Sequence, residues 1–134
     1  MTLITITVKS KNRNELVDIT SEVRKAISQS DIENGHCLLY VPHTTAAVTI
    51  NEGADPDVKT DILTYLSTQI PPLVSYKHSE GNSDAHIKST LVGASELLII
   101  KNGKPVLGTW QSVYFCEFDG PRNRHVYIHL HKDL

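Results

Sequence analysis

The sequence is poor in the features that direct a protein to nucleic acid or to a membrane. Its 13 lysines and arginines are outnumbered by 15 aspartates and glutamates, which gives a formal net charge of -2. A chain of this balance lacks the positive field that attracts nucleic acid or an anionic bilayer. No apolar run approaches the roughly 18 residues of a membrane span. The first ten residues, MTLITITVKS, lack the basic start and the small-residue cleavage site of a signal peptide. We therefore expect a cytoplasmic protein with no membrane or nucleic-acid partner.

Cysteine is also scarce. The two cysteines, Cys37 and Cys116, each lie inside an apolar, strand-like run, so we expect buried, reduced thiols. With 40% hydrophobic residues, a chain of 134 residues can bury a core without covalent cross-links. No repeat, low-complexity segment or linker divides it. The sequence therefore predicts a single domain over residues 1–134.

Hydrophobic periodicity predicts an α+β fold. Ile4, Ile6 and Val8 alternate with threonines, which is typical of a half-buried strand. The apolar run at 35–41 favours a strand covered on both sides. The predicted strands are 3–9, 16–19, 35–41, 46–51, 95–101, 109–118 and 124–131, and the predicted helices are 20–30, 55–66 and 84–92. The late strands are joined by short turns, including the Asn-Gly pair at 102–103, and must pair antiparallel. We therefore predict about three helices on a mainly antiparallel sheet or sandwich.

The helix ends carry candidate caps. Thr20 is expected to cap the first helix, and Asp55 followed by a proline is expected to cap the second. Ser83 or Asp84 is expected to cap the third.

Three histidines lie at the edges of predicted elements and are candidate metal ligands. His43 follows a strand, His78 lies in the polar stretch YKHSEGNSDAH, and His86 lies in the first turn of the third helix. Catalytic zinc commonly has three protein ligands and an open position for water. Two alternatives stay open: the three are unrelated loop histidines, or one is a general base without a metal.

The last strand offers a rival site. His125, Tyr127, His129 and His131 share one face of it, and His129 and His131 could chelate an ion. The alternative is a face covered by solvent or by another subunit.

Further polar residues near these histidines suit a small anionic ligand. The candidate phosphate ligands are Thr44, Thr45, Ser79, Asn82, Arg122 and Arg124. The free N–H groups at the start of the third helix would support them. Glu80 lies between two candidate ligands and is the preferred acid–base residue. Glu117 stands in an apolar strand, so we expect it to pair with an arginine or to line a pocket. Trp110 is expected in the core.

Three segments and the chain length carry a resemblance to a known family. The segments are HTTAAVTINEGADPDV, YKHSEGNSDAHIKSTLVG and NGKPVLGTWQSVYFCEFDGPR. In these the sequence resembles the YjbQ family, whose members are often labelled secondary thiamine-phosphate synthases. The resemblance implies orthogonally packed antiparallel sheets and a homotrimer around a threefold axis. It implies His43, His78 and His86 as ligands of a divalent metal, with zinc expected and Mg²⁺ as the alternative.

The resemblance also implies a site and an activity. Glu80, Asn82, Gln111, Glu117 and Arg122 carry over as residues that line the site. We therefore expect Glu80 and Glu117 to be catalytic, and Thr44, Thr45, Asn82, Gln111 and Arg122 to bind substrate. The expected function is that of a small enzyme that acts on a phosphorylated or pyrophosphorylated molecule, with weak thiamine-phosphate synthase activity. The alternative is a non-catalytic trimer that binds a metal or a small anion.

Overall fold

The computed structural model describes residues 3–134, which form eight strands and three helices. The strands are β1 Leu3–Lys9, β2 Glu15–Asp18, β3 Asn34–Tyr40, β4 Ala46–Glu52, β5 Ser95–Lys101, β6 Lys104–Pro105, β7 Gln111–Glu117 and β8 Asn123–Lys132. The helices are α1 Thr20–Gln29, α2 Pro56–Gln69 and α3 Ser83–Val92. The α+β prediction is confirmed, and the Asn-Gly turn adds the short strand β6. None of the helices in this part of the chain is long and apolar enough to cross a membrane.

Two antiparallel sheets organise the domain. The large sheet has the order β1-β8-β3-β5-β6, and the small sheet has the order β2-β7-β4. Every pairing recorded between these strands is antiparallel. The final strand β8 thus lies between the first and third strands, so the two ends of the chain contribute to the same sheet.

Hydrophobic side chains divide the structure into layers. The inner face of the large sheet packs against α1 and one face of the small sheet, and this core includes Ile27, Leu39, Phe115 and Ile128. The opposite face of the small sheet packs against α2 and α3 through a second cluster that includes Phe118. The small sheet is therefore the middle layer. It fixes α3 relative to the end of β4.

The outer face of the large sheet stays open, which corrects one prediction. Burial alternates along β3, so Leu38 and Tyr40 are exposed instead of covered. Leu97 and Ile99 on β5 are exposed on the same sheet. An apolar run alone does not distinguish a strand that is buried on both faces from a strand whose second face is apolar but exposed.

Several local predictions also need correction. Trp110 is 64% exposed and is not a core residue. The residue at the cap of α1 is Ile19, and the hydroxyl of Thr20 instead accepts a hydrogen bond from the amide of Val113. The cap of α3 is Asn82, without a side-chain cap bond, so neither Ser83 nor Asp84 fills that role.

Other local predictions hold. The carboxylate of Asp55 accepts a hydrogen bond from the amide of Asp57 and caps α2 as expected. Cys37 and Cys116 are free and buried, and burial raises the pKa of each thiol to about 12. Both thiols are therefore protonated and unreactive at neutral pH.

Candidate functional site

Helix α3 and the loop before it bring His78 and His86 together. Their ring centroids are 5.3 Å apart, with the rings nearly perpendicular. Nδ1 of His78 lies 3.1 Å from the hydroxyl of Ser83, and its Nε2 lies 3.6 Å from the carboxylate of Glu80. When Nδ1–H donates to the Ser83 hydroxyl, the lone pair of Nε2 is left for another partner. This pair is the most compact part of the predicted site.

His43 approaches from the segment between β3 and β4. Its Nε2 accepts a hydrogen bond of 3.0 Å from the amide of His125, and the two rings stack with centroids 6.3 Å apart. Burial lowers the pKa of His43, and the nearby charges of Arg124 and His125 lower it further. The hydroxyl of Ser89 on α3 donates to the carbonyl of Thr44 over 2.6 Å and ties the helix to this segment.

Two surface cavities meet at His86. One of about 440 Å³ is lined by His43, Thr44 and Ser89 as well as His86. The other, of about 320 Å³, is lined by Tyr76, His78, Ser83 and His86, among others. We refer to these adjoining cavities, with His43, His78 and His86 along them, as the histidine groove. The three predicted ligands therefore share one surface.

The three rings do not converge on one point. Within residues 3–134, the side chains grouped closely enough to share a metal ion do not include these three histidines together. A neutral imidazole has one lone pair, and His43 directs it at the amide of His125. His43 must rotate before it can serve as a third ligand beside His78 and His86.

Glu117 and Thr45 lie beneath the groove in a buried network, not in the groove itself. Glu117 has no exposed surface and accepts from two nitrogens of Arg124, from the hydroxyl of Ser10 and from the amide of Asp119. The hydroxyl of Thr45 accepts from Arg124 over 2.8 Å, and Thr45 is also buried. Burial alone would raise the pKa of Glu117, but these hydrogen bonds outweigh it and the net shift is downward.

This network corrects two predicted roles. A carboxylate that is ionised, enclosed and fully hydrogen-bonded does not contact a substrate, so Glu117 is not placed as an acid–base residue. Thr45 is likewise committed to Arg124 and not to a ligand. The expectation that Glu117 pairs with an arginine is confirmed, and its partner is Arg124.

Asp119 joins Asn82 and Arg122. Its carboxylate accepts from Nδ2 of Asn82 over 2.9 Å and from Arg122 over 3.0 Å. The Oδ1 atom of Asn82 is buried and has no hydrogen-bond partner. Reversing this amide would set Oδ1 against the carboxylate of Asp119, so the orientation is fixed. Asn82 thus holds an unsatisfied acceptor at the start of α3, close to His86.

Comparison with known proteins assigns the chain to a family. The sequence profile described as UPF0047 protein YjbQ-like matches residues 4–133. The chain belongs to this family. It is similar to a UPF0047 protein of Methanocaldococcus jannaschii, with 57% identity over 92% of this chain and 89% of the relative. It is 50% identical to the UPF0047 protein YugU of Bacillus subtilis, over 96% and 98% of the two chains.

Solved structures give the same assignment. A YjbQ/UPF0047 protein of Clostridium acetobutylicum superimposes with a TM-score of 0.93 at 50% identity and covers 96% of this chain and 99% of its own. A protein of unknown function from Sulfolobus solfataricus has the same TM-score at 37% identity, over 98% and 97% of the chains. The resemblance noted in the sequence is therefore confirmed, as is the YjbQ-like fold.

The YjbQ-like fold does not bring Gln111 to the groove within one chain. Gln111 pairs with Glu52 at one end of the small sheet, whereas Glu117 pairs with Ala46 at the other. Six residues of strand separate the two positions by about 20 Å. The side chain of Gln111 accepts from the amide of Gly108 over 2.7 Å and closes a local turn.

One group near the groove was missed by sequence reasoning. Asp84 is fully buried and binds both Arg13, through contacts of 2.8 and 3.0 Å, and Lys88, at 3.2 Å. The side chain of Lys88 is 1% exposed and also donates to Asn14. The spacing of four residues between Asp84 and Lys88 was a usable signal. Arg13 is 71 residues away in sequence, and nothing local predicts that contact.

Proposed function

We propose that this YjbQ-like protein is a small cytoplasmic enzyme with a metal site in the histidine groove, acting on a phosphorylated or pyrophosphorylated small molecule. The observation that carries the proposal is the pair of His78 and His86, with Glu80 beside one ring. We infer weak thiamine-phosphate synthase activity from the family resemblance alone.

The donor set fits a zinc-class ion. Two imidazoles bound to one tetrahedral zinc, with Zn–N bonds of about 2 Å, have ring centroids about 5 Å apart. The observed separation of His78 and His86 is 5.3 Å. Ser83 orients His78, and His43 supplies a third nitrogen once its ring turns away from His125. Zinc on such ligands supplies Lewis-acid polarisation of an oxygen, or an activated water. Mg²⁺ prefers oxygen ligands and fits this set less well.

Residues of this chain would position the anionic part of the substrate. The first turn of α3 would contribute the positive end of the helix dipole next to the loop that carries His78. Arg122 is 54% exposed at its side chain and lies beside Asn82 through Asp119. Thr44 is exposed at the rim of the groove. A phosphoryl group held by these donors would lie next to Glu80.

Glu80 is the acid–base residue of the proposal. Its side chain is 75% exposed, so it is free to move toward a bound ligand. Its carboxylate would take a proton from, or return one to, a substrate oxygen beside His78. Glu117 acts through Arg124, which fixes the segment of Thr45 next to His43, and is a positioning residue.

We also propose a homotrimer. The exposed side chains of Leu38, Tyr40 and Leu97 on the outer face of the large sheet support burial against other copies of the chain. Sedimentation of Leu97→Lys should reveal dissociated chains, while Val74→Lys, an exposed loop change off that face, should sediment like the native protein.

The metal experiment compares His78→Ala and His86→Ala with native protein by elemental analysis and by synthase and phosphatase assays, with and without chelator. We expect each variant to lose one equivalent of metal per chain and most of the activity. Glu33→Gln, an exposed change before β3 and at the opposite end of that strand from the groove, should keep its activity. The proposal fails if His78→Ala and His86→Ala retain full metal content and full activity.

A second candidate is a non-catalytic protein that binds a metal or a small anion. The enclosure of Glu117 favours it, because Glu80 is then the one carboxylate of the predicted catalytic pair that can reach a ligand. Stoichiometric metal in the groove, without turnover of any phosphate ester or thiamine precursor, would support this second candidate over the first.

A further inference from the structure

Two histidines and a carboxylate meet on the outer face of the large sheet, far from the histidine groove. His36 on β3 lies directly opposite His131 on β8. Asp133 follows His131 by two residues and so lies on the same side of the chain. One ligand atom from each of the three lies within 4.8 Å of the others. His131 is six residues along β8 from His125, the neighbour of His43, which corresponds to about 20 Å.

The backbone around these residues is well determined by its pairing. The amide of Asp133 donates to the carbonyl of Asn34 over 3.0 Å, so the β3–β8 ladder continues past the end of β8. A Cβ atom at Gly35 would lie 2.0 Å from the carbonyl oxygen of His131. Glycine therefore permits the close strand approach that sets His36 against His131.

The metal-binding atoms of these three side chains are not already engaged by other residues of the described chain. The rings of His36 and His131 stack on each other with centroids 4.8 Å apart and planes 16° from parallel. His36 is half-buried, and His131 and Asp133 are exposed. Within residues 3–134, these three side chains make no hydrogen bond or ion pair with another residue. Their nitrogen and oxygen atoms are thus available to a ligand.

We propose that His36, His131 and Asp133 bind a divalent transition-metal ion of the zinc class, at a site separate from the histidine groove. Two imidazoles and a carboxylate suit Zn²⁺, and also Ni²⁺ and Cu²⁺, whereas Mg²⁺ prefers oxygen ligands alone. Rings on one ion at bond angles between 90° and 109° have centroids about 4.5–5.2 Å apart. The separation of 4.8 Å lies inside this interval.

Binding requires one local change. Stacked rings hold their lone pairs in parallel planes, so each ring must tilt about its Cβ–Cγ bond until the lone pairs converge. The exposure of His131 and Asp133 leaves room for this tilt. A bound ion would then join the end of β8 to β3 and fasten the carboxyl-terminal residues to the sheet.

The test is a calorimetric titration of zinc into metal-stripped protein that carries both His78→Ala and His86→Ala. These two changes remove the metal ligands of the histidine groove, and we call this variant the groove-deficient protein. We expect this protein to bind one zinc per chain and to give no heat with Mg²⁺. Adding His131→Ala, or Asp133→Asn as a nearly isosteric change, should weaken zinc binding by at least about tenfold, because even second-shell losses cost that much. Adding His125→Ala, on the same strand face but opposite Thr7, should leave the titration unchanged.

The outcomes separate this site from the groove. If the groove-deficient protein binds no zinc, or if the His131 and Asp133 variants bind it with unchanged affinity, the proposal is wrong, whatever the groove does. If native protein and the groove-deficient protein both bind a single zinc, this site stands and the metal in the groove is refuted. Circular dichroism of each stripped variant confirms that lost binding is not lost folding.

Discussion

Replacing Glu117 by glutamine should strongly destabilise the protein although it changes neither size nor shape. The carboxylate accepts four hydrogen bonds, two of them from Arg124, whose side chain is 6% exposed. Glutamine leaves a buried guanidinium without its counter-charge and places an NH₂ group against donors. Breaking a buried pair from one side costs about 3–5 kcal/mol. For a chain of this size that corresponds to a fall in Tm of about 10–20 °C.

The measurement is urea unfolding followed by circular dichroism at matched protein concentration. Glu33→Gln, an exposed residue, should leave the unfolding curve nearly unchanged. The double variant Glu117→Gln with Arg124→Met should be less destabilised than the two single changes added together, because it removes the orphaned charge. A loss below about 1 kcal/mol for Glu117→Gln would refute the reasoning, since it would mean that water reaches the pair.

The same variant has a signature in pH. The folded-state pKa of Glu117 is lowered, so its contribution to stability is present above the unfolded value of about 4.3 and is lost as the pH falls through the folded value. Acid should therefore reduce the stability of the native protein more steeply than that of Glu117→Gln. Parallel curves for the two proteins would contradict the assignment.

Two further predictions concern the elements that carry the histidines. Asp84→Asn should destabilise the protein by about 3–5 kcal/mol, because Lys88 and Arg13 lose a shared partner that is fully buried. Hydrogen exchange should then show α3 opening first. Unchanged protection of the α3 amides would exclude this role of Asp84. The ring of His43 should titrate below its ordinary pKa of about 6.5 in NMR spectra, and its contribution to stability, present above that value, should decline as the pH falls below it. A midpoint above 6.5 would show that the ring is not desolvated as described.

Features set by local pattern were accessible from the sequence. The limits of β1 and β5, the cap at Asp55 and the turn at 102–103 depend on residues that are neighbours in the chain, and periodicity or turn chemistry describes them. The alternation along β8 likewise places its four ring-bearing residues on one face. For these elements a few adjacent side chains determine the conformation.

Features set by distant contacts were not accessible. Glu117 has a recognisable need for a cation, but Arg122 and Arg124 both follow it closely in sequence, and the actual partner is the more distant of the two. The deciding fact is that β8 and β7 belong to different sheets that pack together, so that Arg124 on one contacts Glu117 on the other. Gln111 shares a motif with Glu117, yet an extended strand carries the two to opposite ends. Adjacency in a motif therefore did not establish adjacency in space.

The anchoring of the histidine groove is unequal on its two sides. Helix α3 is fastened at Asp84 by buried ion pairs and at Ser89 by the carbonyl of Thr44. The stretch with His78 and Glu80 is exposed; besides the contacts of His78 with Ser83 and His86, it is held by contacts within itself, such as that between Tyr76 and Pro71. We therefore expect His86 to stay in place when the loop that carries His78 moves. The time for which a ligand stays bound in the groove would then depend on the rate at which the loop opens. Substitutions in the loop would change the rates of ligand binding and release without disturbing the helix.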